Sequence, residues 1–253
     1  MANTFHRVGH GPHPVIVLHG WFGDARAFEP IGPWLSGADF SYVFMDYRGY
    51  GGMREAAGEH SIDEIAADAL ALADALGFER FSLVGHSMGG MAIERVAALA
   101  PERVRALVPV APVPCGGIAM APATRAVRRR GRGPGRAPRH HRPQHRRGLP
   151  AAWVAWKAAY SAAHSSAAAF AAYLPAWVGT DFSDRIDGRH PVLALVGEHD
   201  PVFTPTLMAA TYARRYPRTT VEVLANAGHY PMNETPLALA AAIERFLRTA
   251  AGD

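Results

Sequence analysis

Gly85-His86-Ser87-Met88-Gly89 fits the pattern G-x-S-x-G, and it stands where an apolar run, Phe81 to Gly85, meets a helical one, Met88 to Ala100. A sharp strand-to-helix turn puts its central residue in a strained backbone conformation, and the glycines at 85 and 89 remove side chains that would clash there. Such a turn lifts the Ser87 hydroxyl above the sheet and near a helix N-terminus, whose N–H groups favour developing negative charge. Serine is a poor nucleophile at neutral pH and needs a base within hydrogen-bond reach. Of the thirteen histidines, His229 in Ala227-Gly228-His229-Tyr230-Pro231 is the best placed, between the last strand-like run and the last helical one. His140, His141 and His145 fall in a basic block, and His6, His10 and His13 are assigned to an N-terminal tail. Asp200 follows the run Leu193 to Gly197, where its carboxylate is placed to hold the imidazole tautomer and stabilise the imidazolium; Glu198 is the rival acid.

The elements that must position these groups alternate. Val15–His19, Tyr42–Asp46, Phe81–Gly85, Val104–Val110, Val192–Val196 and Thr220–Leu224 are short, β-branched or aromatic runs that predict buried strands. Ser61 with Glu64 forms a capping-box start to a helix that Gly77 ends. Met88–Ala100, Thr206–Tyr216 and Pro236–Thr249 predict further helices. Strands alternating with helices at this spacing imply βαβ crossovers and a mainly parallel sheet covered on both faces.

Residues 112–188 interrupt the alternation. Leu149–Trp177 is alanine-rich, with Trp153, Trp156, Tyr160, Phe170, Tyr173 and Trp177 spaced for two helices broken near His164 to Ser166. Such aromatics serve simple packing, and in a segment above the strand ends they also wall a pocket; all six are carried forward as candidate pocket residues. Between Arg125 and Arg147 there are ten arginines and no acidic residue. Removing those ten from the 26 basic residues leaves 16 against 22 acidic ones, so the remainder carries −6 and the basicity is one local block. Residues 125–148 have almost no apolar side chain with which to form a core. Out-of-frame translation of a GC-rich gene accounts for their composition and abrupt edges, and an arginine arm for nucleic acid is the lesser reading.

At 253 residues, nearly half of them hydrophobic, the chain suits one large α/β core with an insertion. No apolar run reaches the roughly 18 to 20 residues of a membrane helix, and no apolar stretch at the start suits a secretory signal, so a soluble, cytoplasmic protein is expected. Cys115 is the only cysteine, which excludes an intrachain disulfide and a multi-cysteine metal site. No metal or other cofactor is expected.

The order Ser87, Asp200, His229, each after a strand, resembles that of the α/β-hydrolase family, as do GHSMGG, GEHDPV and AGHYPMNE. His19-Gly20-Trp21 after the first buried strand resembles that family's oxyanion-hole loop. The likeness covers about residues 10–110 and 190–250. It implies an α/β-hydrolase fold: a mostly parallel eight-stranded sheet with helices on both faces, a core of residues 1–111 and 189–253, and a helical cap insertion at 112–188. It further implies nucleophile Ser87, acid Asp200 and base His229, with the backbone N–H groups of Trp21 and Met88 as oxyanion hole, each worth roughly 3 to 4 kcal/mol to a tetrahedral intermediate. The departure from the family lies at 125–148, where the first cap helices should stand.

The expected activity is that of a serine carboxylesterase acting on a small-molecule ester, with lactonase, perhydrolase and carbon–carbon hydrolase as alternatives on the same three residues. Haloalkane dehalogenases and epoxide hydrolases would carry aspartate at position 87. A non-catalytic protein and a nucleic-acid binder are the more distant alternatives. No charged residue stands out in the sequence as an anchor for a charged acid, and the aromatics and alanines suggest an apolar pocket for short or aromatic esters.

Overall fold

The computed structural model describes residues 3–118 and 149–250. Its strands are β1 (Phe5–Val8), β2 (His13–Leu18), β3 (Phe40–Met45), β4 (Phe81–His86), β5 (Val104–Val110), β6 (Val192–Gly197) and β7 (Thr219–Leu224). They form one sheet in the order β1-β3-β2-β4-β5-β6-β7. Only β1 runs antiparallel, pairing Phe5 with Met45 and Val8 with Tyr42. The family likeness implies eight strands, but among the described residues the sheet has seven: the four-residue β1 is the edge beyond β3, and no described segment pairs outside it.

Residues alternate between the two faces of a strand, and the sheet distributes its apolar side chains accordingly. Ile16 and Leu18 of β2 join a core cluster with α1 (Ile62–Ala75) and α2 (Met88–Leu99). Val15 and Val17 join a second cluster on the opposite face with the 3-10 helix Ala25–Trp34 and the closing helix Pro236–Ala250. Burying each such Val, Leu or Ile contributes about 1.5–3 kcal/mol.

The starts and stops of the helices follow from single residues. The Ser61 hydroxyl accepts the Glu64 N–H at 3.0 Å, while the Glu64 carboxylate reaches back to the N–H groups of Glu59 and His60. The expected capping box is therefore displaced by one residue on its return arm. Between β5 and β6 come α3 (Ala151–His164) and α4 (Ala167–Gly179), broken at Ser165 and Ser166 as the sequence suggests. The Ser166 hydroxyl caps α4 by accepting the Ala169 N–H. The single helix expected over Thr206–Tyr216 is instead two short ones, α5 (Pro205–Ala210) and α6 (Tyr212–Arg215). At the break the Thr211 hydroxyl donates back to the Leu207 carbonyl at 2.6 Å, competing with the helix ladder. The chain closes with α7 (Pro231–Glu234) and α8 (Pro236–Ala250).

Two N-terminal histidines assigned to a tail lie in the sheet. His6 stacks on Phe44 with ring centroids 4.5 Å apart, and buried His13 shares a 2.8 Å hydrogen bond with the Ser82 hydroxyl. The expectation for 125–148 lies outside the described residues. Among the described residues no helix is long and apolar enough to cross a membrane.

Candidate active site

Four connections at the carboxyl ends of parallel strands converge here: those following β2, β4, β6 and β7 carry Trp21, Ser87, Asp200 and His229. The β4-to-α2 turn is as tight as its glycines suggest. Ser87 has φ 53° and ψ −115°, a left-handed conformation costly for a residue with a side chain. Its N–H donates to the Val110 carbonyl at 3.0 Å and its carbonyl accepts from Val113 at 2.9 Å, so the end of β5 and the segment after it hold the strained residue from both sides. A Cβ at position 85 would lie 2.3 Å from the Gly89 carbonyl oxygen, and one at 89 would lie 2.3 Å from that of Leu18. Only glycine permits this approach of α2 to the sheet.

The side chains form a relay. His229 Nε2 lies 3.2 Å from the Ser87 hydroxyl, and His229 Nδ1 lies 2.8 Å from Asp200 Oδ2. The Asp200 carboxylate takes two further N–H donors through Oδ1, from Val202 and Phe203. Burial pushes the Asp200 carboxyl up, but the His229 ring and these hydrogen bonds outweigh it and hold the group below the usual carboxylate range. It is therefore charged at neutral pH and orients His229 with its proton on Nδ1, leaving Nε2 to accept from the hydroxyl. The rival acid, Glu198, is half exposed and accepts the Asn226 N–H instead.

The loop of His229 is fixed by Glu234, which accepts hydrogen bonds from the N–H groups of Gly228 and Tyr230 on either side of the histidine. Phe203 stacks on the His229 ring at 5.0 Å. Sequence reasoning missed both; the Glu five positions after the histidine was the signal available for Glu234. Across the cleft, the Trp21 carbonyl accepts from the Tyr50 hydroxyl and its indole N–H donates to the Phe170 carbonyl. The backbone N–H groups of Trp21 and Met88 donate to no group among the described residues.

Ser87, His229, Gly20, Trp21, Lys157 and Trp177 border a cavity of about 20 Å³, room for roughly one water. Of the six aromatics proposed as its wall, only Trp177 is among the lining residues. Phe170 stacks behind Trp21 at 4.1 Å, and Tyr173 is fully buried beside Tyr50. Trp153 packs on Tyr230, while Trp156 and Tyr160 border a separate outer cleft of about 100 Å³. Helical spacing left both packing and pocket wall open for these rings and could not tell the two apart, and Trp156 is 51% exposed. Lys157 corrects the expectation that no charged residue stands by the pocket: the residue is 4% exposed and borders the same cavity as Ser87. Among the described residues no three His, Cys, Asp or Glu side chains are grouped to hold a metal.

A family model described as "Alpha/beta hydrolase family" matches residues 15–242. A 2-heptyl-3-hydroxy-4(1H)-quinolone dioxygenase from Mycobacteroides abscessus is 39% identical over 42% of this chain and 39% of its own length. A pimeloyl-[acyl-carrier protein] methyl ester esterase from Edwardsiella ictaluri is 34% identical over 45% and 42%, so the chain spans less than half the length of these relatives. Among solved structures, a thermophilic esterase from Thermogutta terrifontis is 25% identical with a TM-score of 0.79, covering 98% of this chain and 93% of that one.

Proposed function

Because the chain belongs to the alpha/beta hydrolase family, we propose that it is a serine carboxylesterase that cleaves a small ester through an acyl-enzyme on Ser87. The observation that carries this reading is the position of His229, hydrogen-bonded to the Ser87 hydroxyl through one ring nitrogen and to Asp200 through the other.

Ser87 Oγ attacks the ester carbonyl while His229 Nε2 takes its proton, and the Asp200 carboxylate stabilises the resulting imidazolium. The carbonyl oxygen becomes an oxyanion, which the free N–H groups of Trp21 and Met88 stabilise; these donors are fixed in place and need no reorganisation. The tetrahedral intermediate collapses, His229 protonates the leaving alcohol, and water attacks the acyl-enzyme with His229 again as base. The serine reacts with a carbonyl directly, so the scheme needs no cofactor. Helices α3 and α4 act as a cap beside the strand ends, α3 bringing Lys157 and α4 bringing Trp177 to the cavity, which favours short acyl groups.

Labelling by a fluorophosphonate together with turnover of p-nitrophenyl acetate tests the proposal. Ser87→Ala should abolish labelling and lower turnover by on the order of 10³ or more. Labelling that persists in that variant would place the nucleophile elsewhere.

A further inference from the structure

Lys157 is the only lysine of the chain, beside 25 arginines. It sits on the buried face of α3 with Ala158 and Ser161, and it borders the cavity that Ser87 and His229 border. Its ammonium lies over the rings of Tyr160 and Tyr230, 5.4 and 5.7 Å from their centroids. Ring faces attract a cation but offer no conventional acceptor to its three hydrogens. Among the described residues it makes no ion pair and no hydrogen bond. Asp24 is the acid whose field reaches it, but both Asp24 oxygens accept the Tyr160 hydroxyl, and one also takes the Arg26 N–H. Burial pulls the lysine down to about 8 against this opposing field. A desolvated cation that borders a cavity and holds no carboxylate of its own is short of a counter-charge.

We propose that Lys157 anchors an anionic group of the substrate, so that the preferred esters carry a carboxylate within a few bonds of the reacting carbonyl. The inference rests on the reading of Ser87 as nucleophile. The ammonium and the hydroxyl border one cavity, so a small ester whose anion is held by the lysine presents its carbonyl to the serine within the same space. A lysine kept only for packing would be replaced without loss by methionine, which has similar length and no charge to desolvate.

The test compares kcat/KM for two matched pairs: monomethyl succinate against methyl butyrate, with the charge on the acyl side, and carboxymethyl acetate against propyl acetate, with the charge on the alcohol side. In the parent protein the charged member of at least one pair should be favoured by about 10- to 100-fold, the scale of a charge-assisted hydrogen bond. Lys157→Met should remove that preference, and Lys157→Gln serves if the methionine variant does not fold. A parent enzyme that favours the neutral member of both pairs overturns the proposal, as does a preference that survives in the variants. Calorimetric titration of Ser87→Ala and Ser87→Ala/Lys157→Met with the same esters reads the anchor without turnover. Hydrolysis that persists in Ser87→Ala would remove the nucleophile assignment, while equal binding of charged and neutral esters would remove the anchor.

Discussion

The Nε2–H of His86 donates to the backbone carbonyl of His229, 2.8 Å away. The residue just before Ser87 thus grips the loop that carries the imidazole, across 143 positions of sequence. Burial, and after it repulsion from a protonated His229, push the His86 ring well below the usual imidazole range. It is neutral at physiological pH, and the carbonyl partner fixes its proton on Nε2. A second histidine, hydrogen-bonded to neither the Ser87 hydroxyl nor the Asp200 carboxylate, thus holds the loop whose imidazole stands 3.2 Å from Ser87.

His86→Phe, which keeps a ring and loses the donor, should lower kcat for p-nitrophenyl acetate by about 10- to 100-fold with little change in KM. His86→Gln retains an N–H donor and should recover most of the loss. A phenylalanine variant as active as the parent would show that the loop holds without this bond.

Asp200→Asn should cost up to about 10⁴ in turnover, because an amide at that position favours the wrong His229 tautomer. Glu198→Gln should cost little, since its carboxylate is spent on the Asn226 N–H. The two variants assayed side by side decide the assignment: a larger loss from Glu198→Gln reverses it.

Gly89→Ala would place a methyl 2.3 Å from the Leu18 carbonyl oxygen and 2.8 Å from that of His19, forcing α2 away from β2. A destabilisation of roughly 1–3 kcal/mol is expected, which for a chain of this size lowers Tm by about 2–4 °C per kcal/mol. Gly179→Ala, whose methyl would meet nothing within 4 Å, should leave Tm nearly unchanged. Equal melting of the two variants would contradict the crowding at the turn.

Most of the sheet was legible because its strands are short β-branched runs, and the Ser87, Asp200 and His229 positions because each follows such a run. Strand β1 was not legible: FHRV is four residues flanked by glycine and polar positions, and its pairing with β3 is non-local. The 3-10 helix Ala25–Trp34 was hidden by Pro30 and Pro33, which break the periodicity of an α-helix. Lys157 was passed over because one lysine in an alanine-rich helix reads as a solvated position. Only the packing of Tyr160 and Tyr230 around it shows that the charge turns inward.

Glu94, about two helical turns after Ser87 on α2, is 1% exposed. Its carboxylate accepts the Cys115 N–H at 2.8 Å and the Tyr216 hydroxyl at 3.2 Å. Burial raises it from an ordinary 4.5 to about 7, because these donors only partly replace the lost water. Between those two values the folded protein keeps the proton that the unfolded chain has released, so stability falls as pH rises. The contribution is fully present below about pH 4.5 and is lost by about pH 7, amounting to about 3 kcal/mol. Glu94→Gln keeps an acceptor for Cys115 and cannot ionise, so its stability relative to the parent should rise between pH 5 and 7.5. Urea unfolding of both proteins across that range measures the difference, and other titrating groups cancel in the comparison. A gap between variant and parent that stays constant with pH would show that Glu94 is ionised throughout.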